Sequence, residues 1–233
     1  DFQLALVQGA AVERHLLAGD PGASDLGHEV VDWKLPIDGR KFQDQFILYW
    51  AAGAYQFLRD VTAHTGKPPS EELVEPWTLG LANYFGERQS EFSETVADLQ
   101  AFPAIYDAWF EDFDILLTPT VSAPPPKIGT QAPDGDFEAT MKSVTDFVAY
   151  TPYMNVAGSA SMNVPLFWSE DGLPIGSMFS GRRGDDGAVG AFIFGVAHQV
   201  NRGEGVIGGA AIIELQAAGF HLRRFGDNQL LFL

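Results

Sequence analysis

At residues 113–120 the sequence reads FDILLTPT, the strongest strand signal in the chain. The consecutive apolar residues Ile115, Leu116 and Leu117 are typical of a central strand that is covered on both faces. Pro119 ends this strand because proline has no backbone N–H to donate, and the proline-rich loop at 119–126 cannot lie inside a sheet. The sequence therefore predicts a buried strand at Ile115–Thr118 with a loop at its carboxyl end.

Two more strands and a helix follow this loop. Strand signals at Ser161–Phe167 and Leu173–Phe179 are separated by Asp171-Gly172, a pair typical of a tight turn. At Asp185–Val200, apolar residues recur at the i, i+3, i+4, i+7, i+8 and i+11 positions of one helix face. We predict that these two strands join the strand at Ile115–Thr118 in one sheet, and that the helix packs on it.

The remaining segments alternate between strand and helix signals. A short strand is predicted at Phe2–Val7, and Gly27–Val31 is predicted to be a turn into a second strand, which Pro36 and Asp38-Gly39 end. Apolar residues at steps of three and four predict several helices, with glycine and proline at their ends. They cover Phe42–Ala63, Arg88–Phe110, Phe137–Ala149 and Gly209–Ala218. A further helical segment starts at the N-cap Ser70 and is kinked or restarted by Pro76. The alternation predicts an α/β fold, a mixed β-sheet covered by helices, in a single domain over residues 1–233.

Composition excludes several classes of protein and site. With 46% hydrophobic residues and 18 Phe in 233 residues, the chain can form a core and is not of the disordered type. A formal charge of −17 argues against nucleic acid or an anionic membrane as partner. The absence of cysteine excludes disulfides and thiol catalysis, and the His residues lack metal-ligand spacing. No apolar run is long enough to span a membrane, and we predict a cytoplasmic protein.

Five short motifs occur in a fixed order along the second half of the chain. They are Asp114–Thr120, Ile128-Gly129, Asn155–Ala160, Val164-Pro165 and Asp171–Gly176. In this order and at this spacing they resemble the later part of the amidase signature family of serine hydrolases. Within that family, the hydrolases of cyclic amides (the nylon-oligomer type) look most similar. A weaker similarity extends the resemblance to residues 27–202.

The chain departs from the pattern of this family at several positions. Ala157 stands where Ser or Thr is usual, and Ala160 stands where Pro is usual. The family's nucleophilic Ser follows a Gly-Gly-Ser-Ser-Gly-Gly-like run, and Gly208-Gly209-Ala210, the nearest sequence here, has no serine. No lysine of the chain stands in the context of the family's catalytic Lys. The resemblance therefore implies an incomplete later half of the domain, with no catalytic residue in this chain.

The resemblance also implies partners and cofactors. A small-molecule amide is the expected substrate, and an N-terminal half or a companion chain would carry the catalytic Lys and both serines. The chain opens at Asp1 without Met, so we expect a preceding segment. No metal and no organic cofactor are implied. A homo-oligomer is allowed but not indicated.

Five residues are candidates for contact with the substrate: Thr118, Tyr150, Tyr153, Asn155 and Gly158. Thr118 ends the predicted central strand, where ligands gather in α/β sheets; the alternative is that it only caps the turn. The segment around the two tyrosines is expected to be a loop near the cleft. Its Asn155 amide can either brace the backbone or contact a polar substrate. Gly158 is expected to adopt positive φ or to allow a close backbone approach.

Other motifs are weaker. Arg182-Arg183 could bind an anion, but Asp185-Asp186 follow directly and favour a solvated turn. The glycine run at 203–209 matches a dinucleotide fingerprint, yet a helix rather than a strand is predicted before it. Two functions remain: an amide hydrolase to which this chain contributes the sheet and the cleft loops, or a non-catalytic scaffold or binding subunit on the same fold. In either case the isolated chain is expected to hydrolyse no amide.

Overall fold

The computed structural model describes residues 3–7, 29–169 and 172–191. Five strands form one sheet in the order β2-β1-β3-β5-β4. Strand β1 pairs in parallel with β2 and β3, whereas β5 runs antiparallel to both β3 and β4. The strands are β1 Gln3–Val7, β2 Glu29–Trp33, β3 Ile115–Pro119, β4 Ser161–Trp168 and β5 Pro174–Ser180. The predicted mixed sheet is confirmed, and the strands at Ile115, Val164 and Ile175 do belong to it.

Five α-helices lie entirely within the described residues. They are α1 Gly39–Thr65, α2 Pro76–Glu87, α3 Phe92–Ala108, α4 Phe137–Phe147 and α5 Thr151–Ala157. At the start of α1, the Asp38 carboxylate accepts hydrogen bonds from two backbone N–H groups, and Gly66 ends the helix with φ 66°. Both ends follow from the sequence, because Asp is a good N-cap and Gly tolerates the left-handed conformation. No helix in the described ranges is long and apolar enough to cross a membrane.

The start of α2 differs from the prediction. Ser70 does not cap a helix: its carbonyl accepts hydrogen bonds from Leu73 and Val74 in an isolated turn. The helix begins instead at Pro76, after Glu75 in extended conformation. Proline is favoured in the first turn of a helix, where its missing N–H has no partner to lose. Pro76 therefore restarts the helix, and the N-cap assigned to Ser70 is wrong.

The main core lies between one face of the sheet and helices α1, α3 and α5. Leu116 of β3 lies opposite Ser180 and Thr118 opposite Met178, so alternate residues of both strands point to the same face. The buried residues on and above this face are Phe42, Leu99, Phe102, Tyr106, Trp109, Phe113, Leu116, Tyr153, Met154, Ala157 and Met178. Burying each large apolar side chain contributes about 1.5–3 kcal/mol to stability.

A smaller cluster joins α1 to α2 and α4. Its buried members are Leu48, Ala51, Leu81 and Phe85. Gly80 of α2 lies beneath the Phe137 ring, and a Cβ at Gly80 would come within 2.2 Å of Phe137 Cδ2. The ring of Phe137 also packs on Trp77, with centroids 5.3 Å apart. The absence of a side chain at Gly80 lets α4 approach α2 this closely.

The end of α3 is attached to the segment that follows β5. The hydroxyl of the fully buried Tyr106 donates to the Gly181 carbonyl at 3.2 Å, and burial raises the pKa of Tyr106 to about 12. Next to it, the Arg183 guanidinium donates two hydrogen bonds to Oδ2 of Asp107, one of them 2.9 Å long. Residues 182–184 form an exposed turn, as predicted, and the pairing of Arg183 with Asp107 is an addition that the sequence did not indicate.

Only the first turn of the predicted helix at Asp185–Val200 belongs to the described residues. Residues 186–191 are helical, and Val189 is buried against Gly181. A Cβ at Gly181 would lie 2.5 Å from Cγ2 of Val189, so the glycine is needed for this contact. The rest of that helix, and the helix predicted at Gly209–Ala218, lie outside the described residues.

Two glycines of α2 provide a matched test of the α2–α4 contact. Replacing glycine by alanine inside a helix normally stabilises it by up to about 1 kcal/mol. We expect this gain for Gly86→Ala, since nothing lies within 4 Å of a Cβ at Gly86. For Gly80→Ala we expect a net loss, because forcing a methyl group into the Phe137 ring costs roughly 1–3 kcal/mol. Urea unfolding of both variants checks this, and equal shifts would contradict the contact.

The ion pair of Asp107 predicts a dependence of stability on pH. Hydrogen bonds from Arg183 hold the pKa of Asp107 below its usual value, which is about 3.9. A lowered pKa contributes stability above that usual value and loses it as pH falls through the folded-state pKa. Asp107→Asn should therefore lower the urea midpoint at pH 7, and the difference from wild type should shrink below about pH 3.9.

The control for this experiment is Asp112→Asn, which alters an exposed carboxylate five positions along the chain. It should leave the urea midpoint unchanged at either pH. A difference for Asp107→Asn that stays constant with pH would mean that the carboxylate's charge contributes nothing.

Candidate functional site

The carboxyl ends of the three parallel strands share one edge of the sheet. From β2 the chain passes through residues 34–38 into α1, and from β3 it enters the loop at 120–136. This loop contacts the end of α4, because the Ser122 N–H donates to the Phe147 carbonyl at 3.0 Å. Ligands of open α/β sheets bind outside the carboxyl ends of the strands. This edge is therefore where the geometry favours a site.

A cavity of about 330 Å³ opens here, between the first turn of α1, the end of α4 and the start of α5. Its aromatic wall consists of Phe42, Phe46 and Tyr153. Arg40 and Gln43 of α1 line it as well, and the Gln43 amide donates to the Thr145 carbonyl at 3.4 Å. The cavity thus combines an apolar wall with polar groups from one helix end.

Tyr153 is the predicted site residue that reaches this cavity. It is 9% exposed. The centroid of its ring lies 4.5 Å from that of the Phe42 ring and 6.2 Å from that of the Phe102 ring. Burial raises the pKa of the phenol, and the neighbouring Tyr150 adds to this effect. At neutral pH the hydroxyl is therefore protonated and able to donate a hydrogen bond.

The other predicted residues lie elsewhere. Tyr150 is half-buried beside Tyr153, with ring centroids 6.5 Å apart. Asn155 is exposed and does not line the cavity. Gly158 ends α5 with φ 70°, which confirms the positive φ expected there. The segment expected as a loop is a helix, because Pro152 is accepted in its first turn and Gly158 caps it.

Thr118 belongs to a polar cluster on the sheet itself. It is fully buried, and its Oγ1 has no hydrogen-bond partner in the part of the chain that the structure describes. Two residues along, the Thr120 hydroxyl donates to Oδ1 of Asn163 at 2.6 Å. The two side chains meet above Gly176, where a Cβ would lie 2.3 Å from that oxygen. The glycine of the Asp171–Gly176 motif therefore makes room for this hydrogen bond.

Sequence reasoning missed Asn163 and the α1 residues of the cavity. Alternation along β4 could have indicated Asn163. In the sheet Asn163 pairs with Met178, which in turn pairs with Thr118. For Arg40 and Phe46 the only signal was position in the first turns of a helix that follows a strand. Nothing in the sequence showed that α5 would pack against that end of α1.

A second cavity, of about 510 Å³, lies between α1, α2 and α3. It is lined by charged side chains, several of which pair with one another. Lys41 contacts Asp98 at 2.8 Å, and hydrogen bonding to Asp98 raises the pKa of Lys41. The Arg88 guanidinium lies over the Tyr84 ring, 4.0 Å from its centroid. These exposed pairs are typical of a solvated helix surface. No group of three or more metal-ligating side chains occurs in the described ranges.

Comparison with known proteins identifies relatives of this chain. A protein-family model described as Amidase matches residues 21–189. AmiC of Mycobacterium tuberculosis, named as an amidase, is 31% identical over 160 residues, which cover 69% of this chain and 34% of AmiC. The 6-aminohexanoate-cyclic-dimer hydrolase of Paenarthrobacter ureafaciens is 31% identical over 163 residues, covering 65% of this chain and 32% of the hydrolase. The chain spans about a third of the length of these curated relatives.

Solved structures show the same fold. A 6-aminohexanoate cyclic dimer hydrolase matches with a TM-score of 0.64 at 20% identity, over 81% of this chain and 43% of the hydrolase. A bacterial aryl acylamidase, described as an amidase signature enzyme, matches with a TM-score of 0.61 at 18% identity, over 79% of this chain and 41% of that enzyme. At these identities the likeness concerns the fold.

A substitution at Thr118 tests whether its hydroxyl contributes to the stability of the fold. Replacing an unpaired buried hydroxyl by a methyl group of the same shape is close to neutral for stability or stabilising. We therefore expect Thr118→Val to unfold at the same or a higher urea concentration than wild type. Ser180→Ala is the control, since the equally buried Ser180 Oγ hydrogen-bonds Ser161 Oγ at 2.8 Å and its loss should cost about 1 kcal/mol. A loss of similar size for Thr118→Val would show that its hydroxyl has a partner.

Proposed function

Because the chain belongs to the amidase signature family, we propose that it is part of an enzyme that hydrolyses carboxamide C–N bonds. The match of the family model to residues 21–189 carries this proposal. Both motif order and fold agree with it, since the residues from Asp114 to Gly176 form strands β3, β5 and β4 of one sheet with α4 and α5 between them. The expected substrates are small-molecule amides, with cyclic amides first among them because of the relative from Paenarthrobacter ureafaciens.

The proposed reaction is acyl transfer through a serine ester, as the family resemblance implies. A serine attacks the amide carbonyl while a neutral lysine, acting through a second serine, takes its proton. The amine leaves with a proton, and water then hydrolyses the ester to the acid. Backbone N–H groups near the nucleophile hold the developing oxyanion, which is often the largest catalytic term. No metal and no organic cofactor take part in this scheme.

In this proposal the catalytic Lys and both serines come from an N-terminal half or a companion chain. The present chain contributes the sheet, the cavity at its carboxyl edge, and the candidate substrate contacts. These contacts are Thr118, Tyr150, Tyr153, Asn155 and Gly158. We propose a cytoplasmic location, and the charge of −17 argues against nucleic acid as a partner. Assembly into a homo-oligomer is compatible with the scheme.

The test combines an activity assay with labelling. The complete natural polypeptide, together with any companion chain, is assayed with linear and cyclic amides and treated with a fluorophosphonate that labels activated serines. We expect turnover that labelling abolishes, with the labelled serine outside residues 1–233. The isolated 233-residue chain should show neither turnover nor labelling. Absence of activity and labelling in the complete protein would favour the non-catalytic scaffold or binding subunit.

The serines of this chain provide the control. Ser161→Ala should keep full labelling and turnover in the complete protein, because Ser161 lies in the sheet and is bonded to Ser180. Stoichiometric labelling of Ser159 or Ser161, with loss of turnover, would instead place the nucleophile within this chain and overturn the division of labour proposed above.

A further inference from the structure

The cavity at the carboxyl edge holds a donor without an acceptor. Tyr153 is nine-tenths buried, and no described residue forms a hydrogen bond with its hydroxyl. The hydroxyl lies 3.1 Å from the position that a Cβ at Gly39 would take, so the absence of a side chain at Gly39 keeps the space beside it open. Because Tyr153 lines this space, its hydroxyl can donate a hydrogen bond to an acceptor on a bound ligand.

The cavity also has a cation without a counter-ion. Arg40 is an exposed residue that lines both this cavity and the neighbouring charged one, and within the described residues its guanidinium forms no ion pair. The neighbouring Lys41, in contrast, pairs with Asp98 and Glu94. The adjacent carboxylate, Asp38, already accepts the backbone N–H groups of Arg40 and Lys41 as the cap of α1. A guanidinium with free donors is well suited to hold a carboxylate.

The remainder of the lining is apolar. Phe42 and Phe46 provide ring faces, and Val148 and Pro152 form the opposite wall. The volume of about 330 Å³ lies at the lower end of the range for ligand pockets, roughly 300–1,000 Å³. The space therefore suits a small ligand with an apolar body.

We propose that this cavity binds a small molecule with an apolar body and a carboxylate end. Arg40 and the Tyr153 hydroxyl donate to the carboxylate, and the rings of Phe42 and Phe46 pack on the body. The inference rests on the proposed function for its biological meaning: the matching substrates are amides whose acyl or amine part carries a free carboxylate. Arg40 and Tyr153 are then residues that determine specificity.

The test measures binding of a matched pair of probes, 4-phenylbutyrate and the uncharged 4-phenylbutan-1-ol, to the complete protein by calorimetry. Wild type should bind the carboxylate more tightly than the alcohol. Arg40→Gln should abolish most of this preference, a change of roughly tenfold if one charge-assisted hydrogen bond is lost. Arg59→Gln, which changes an exposed arginine of the same helix away from the cavity, should keep the preference.

The Tyr153→Phe variant separates an effect on binding from an effect on stability. Because the hydroxyl has no partner in the described residues, its removal should leave the melting temperature unchanged and still weaken carboxylate binding. Equal affinity of wild type for the two probes would overturn the inference. So would the absence of binding to folded protein, or a preference that survives in Arg40→Gln.

Failure of this inference and failure of the proposed function give different results. Neither probe has an amide bond, so calorimetry reports binding alone, and hydrolysis is followed separately with amides that carry no carboxylate. Turnover without carboxylate preference would reject only the specificity assigned to the cavity. Carboxylate preference without turnover or serine labelling would reject only the hydrolase.

Discussion

The rest of the structure depends on strand β3 being buried and paired along both of its edges. All five of its residues are buried, and both of its edges are paired, with β1 on one side and β5 on the other. Peptide groups that are removed from water need partners, so β3 requires a neighbour along each edge. Its side chains also require cover, which helices α1, α3 and α5 provide on the face that carries Leu116 and Thr118. The turn that follows Pro119 is thereby fixed, and with it the edge at which the cavity opens.

Much of this fold follows from local signals. Three consecutive apolar residues before Thr-Pro-Thr were enough to predict β3, and the aromatic spacing from Phe42 onward was enough to predict α1. The failures occurred where two local signals competed or where a partner was distant in sequence. At the start of α2, Ser70 and Pro76 both signal a helix start, and proline determines the boundary because it cannot continue a helix interior. The pairing of Arg183 with Asp107 could not be predicted, because the competing Asp185 and Asp186 are closer in sequence.

The candidate site was less predictable than the fold. Tyr153 could be named from its segment, but its position in the cavity depends on α5 packing across the first turns of α1. Such packing is decided by ring contacts among Phe42, Phe102 and Tyr153, which no local pattern encodes. Arg40 and Asn163 are ordinary polar residues in the sequence. Only the tertiary structure shows their positions. Arg40 lines the cavity, and Asn163 lies above Gly176 and accepts a hydrogen bond from Thr120.

The position of β1 has a consequence for biosynthesis. Leu4 pairs with Ile115, and helices α1, α2 and α3 all come between them in the chain. A ribosome therefore makes β1 and β2 well before β3, and one edge of β1 has no native partner until residue 119 has left the exit tunnel. An open strand edge is a template for pairing with other chains. During translation the edge of β1 is thus exposed until β3 has been made. Strands β4 and β5 are neighbours in sequence, so each finds its partner soon after synthesis.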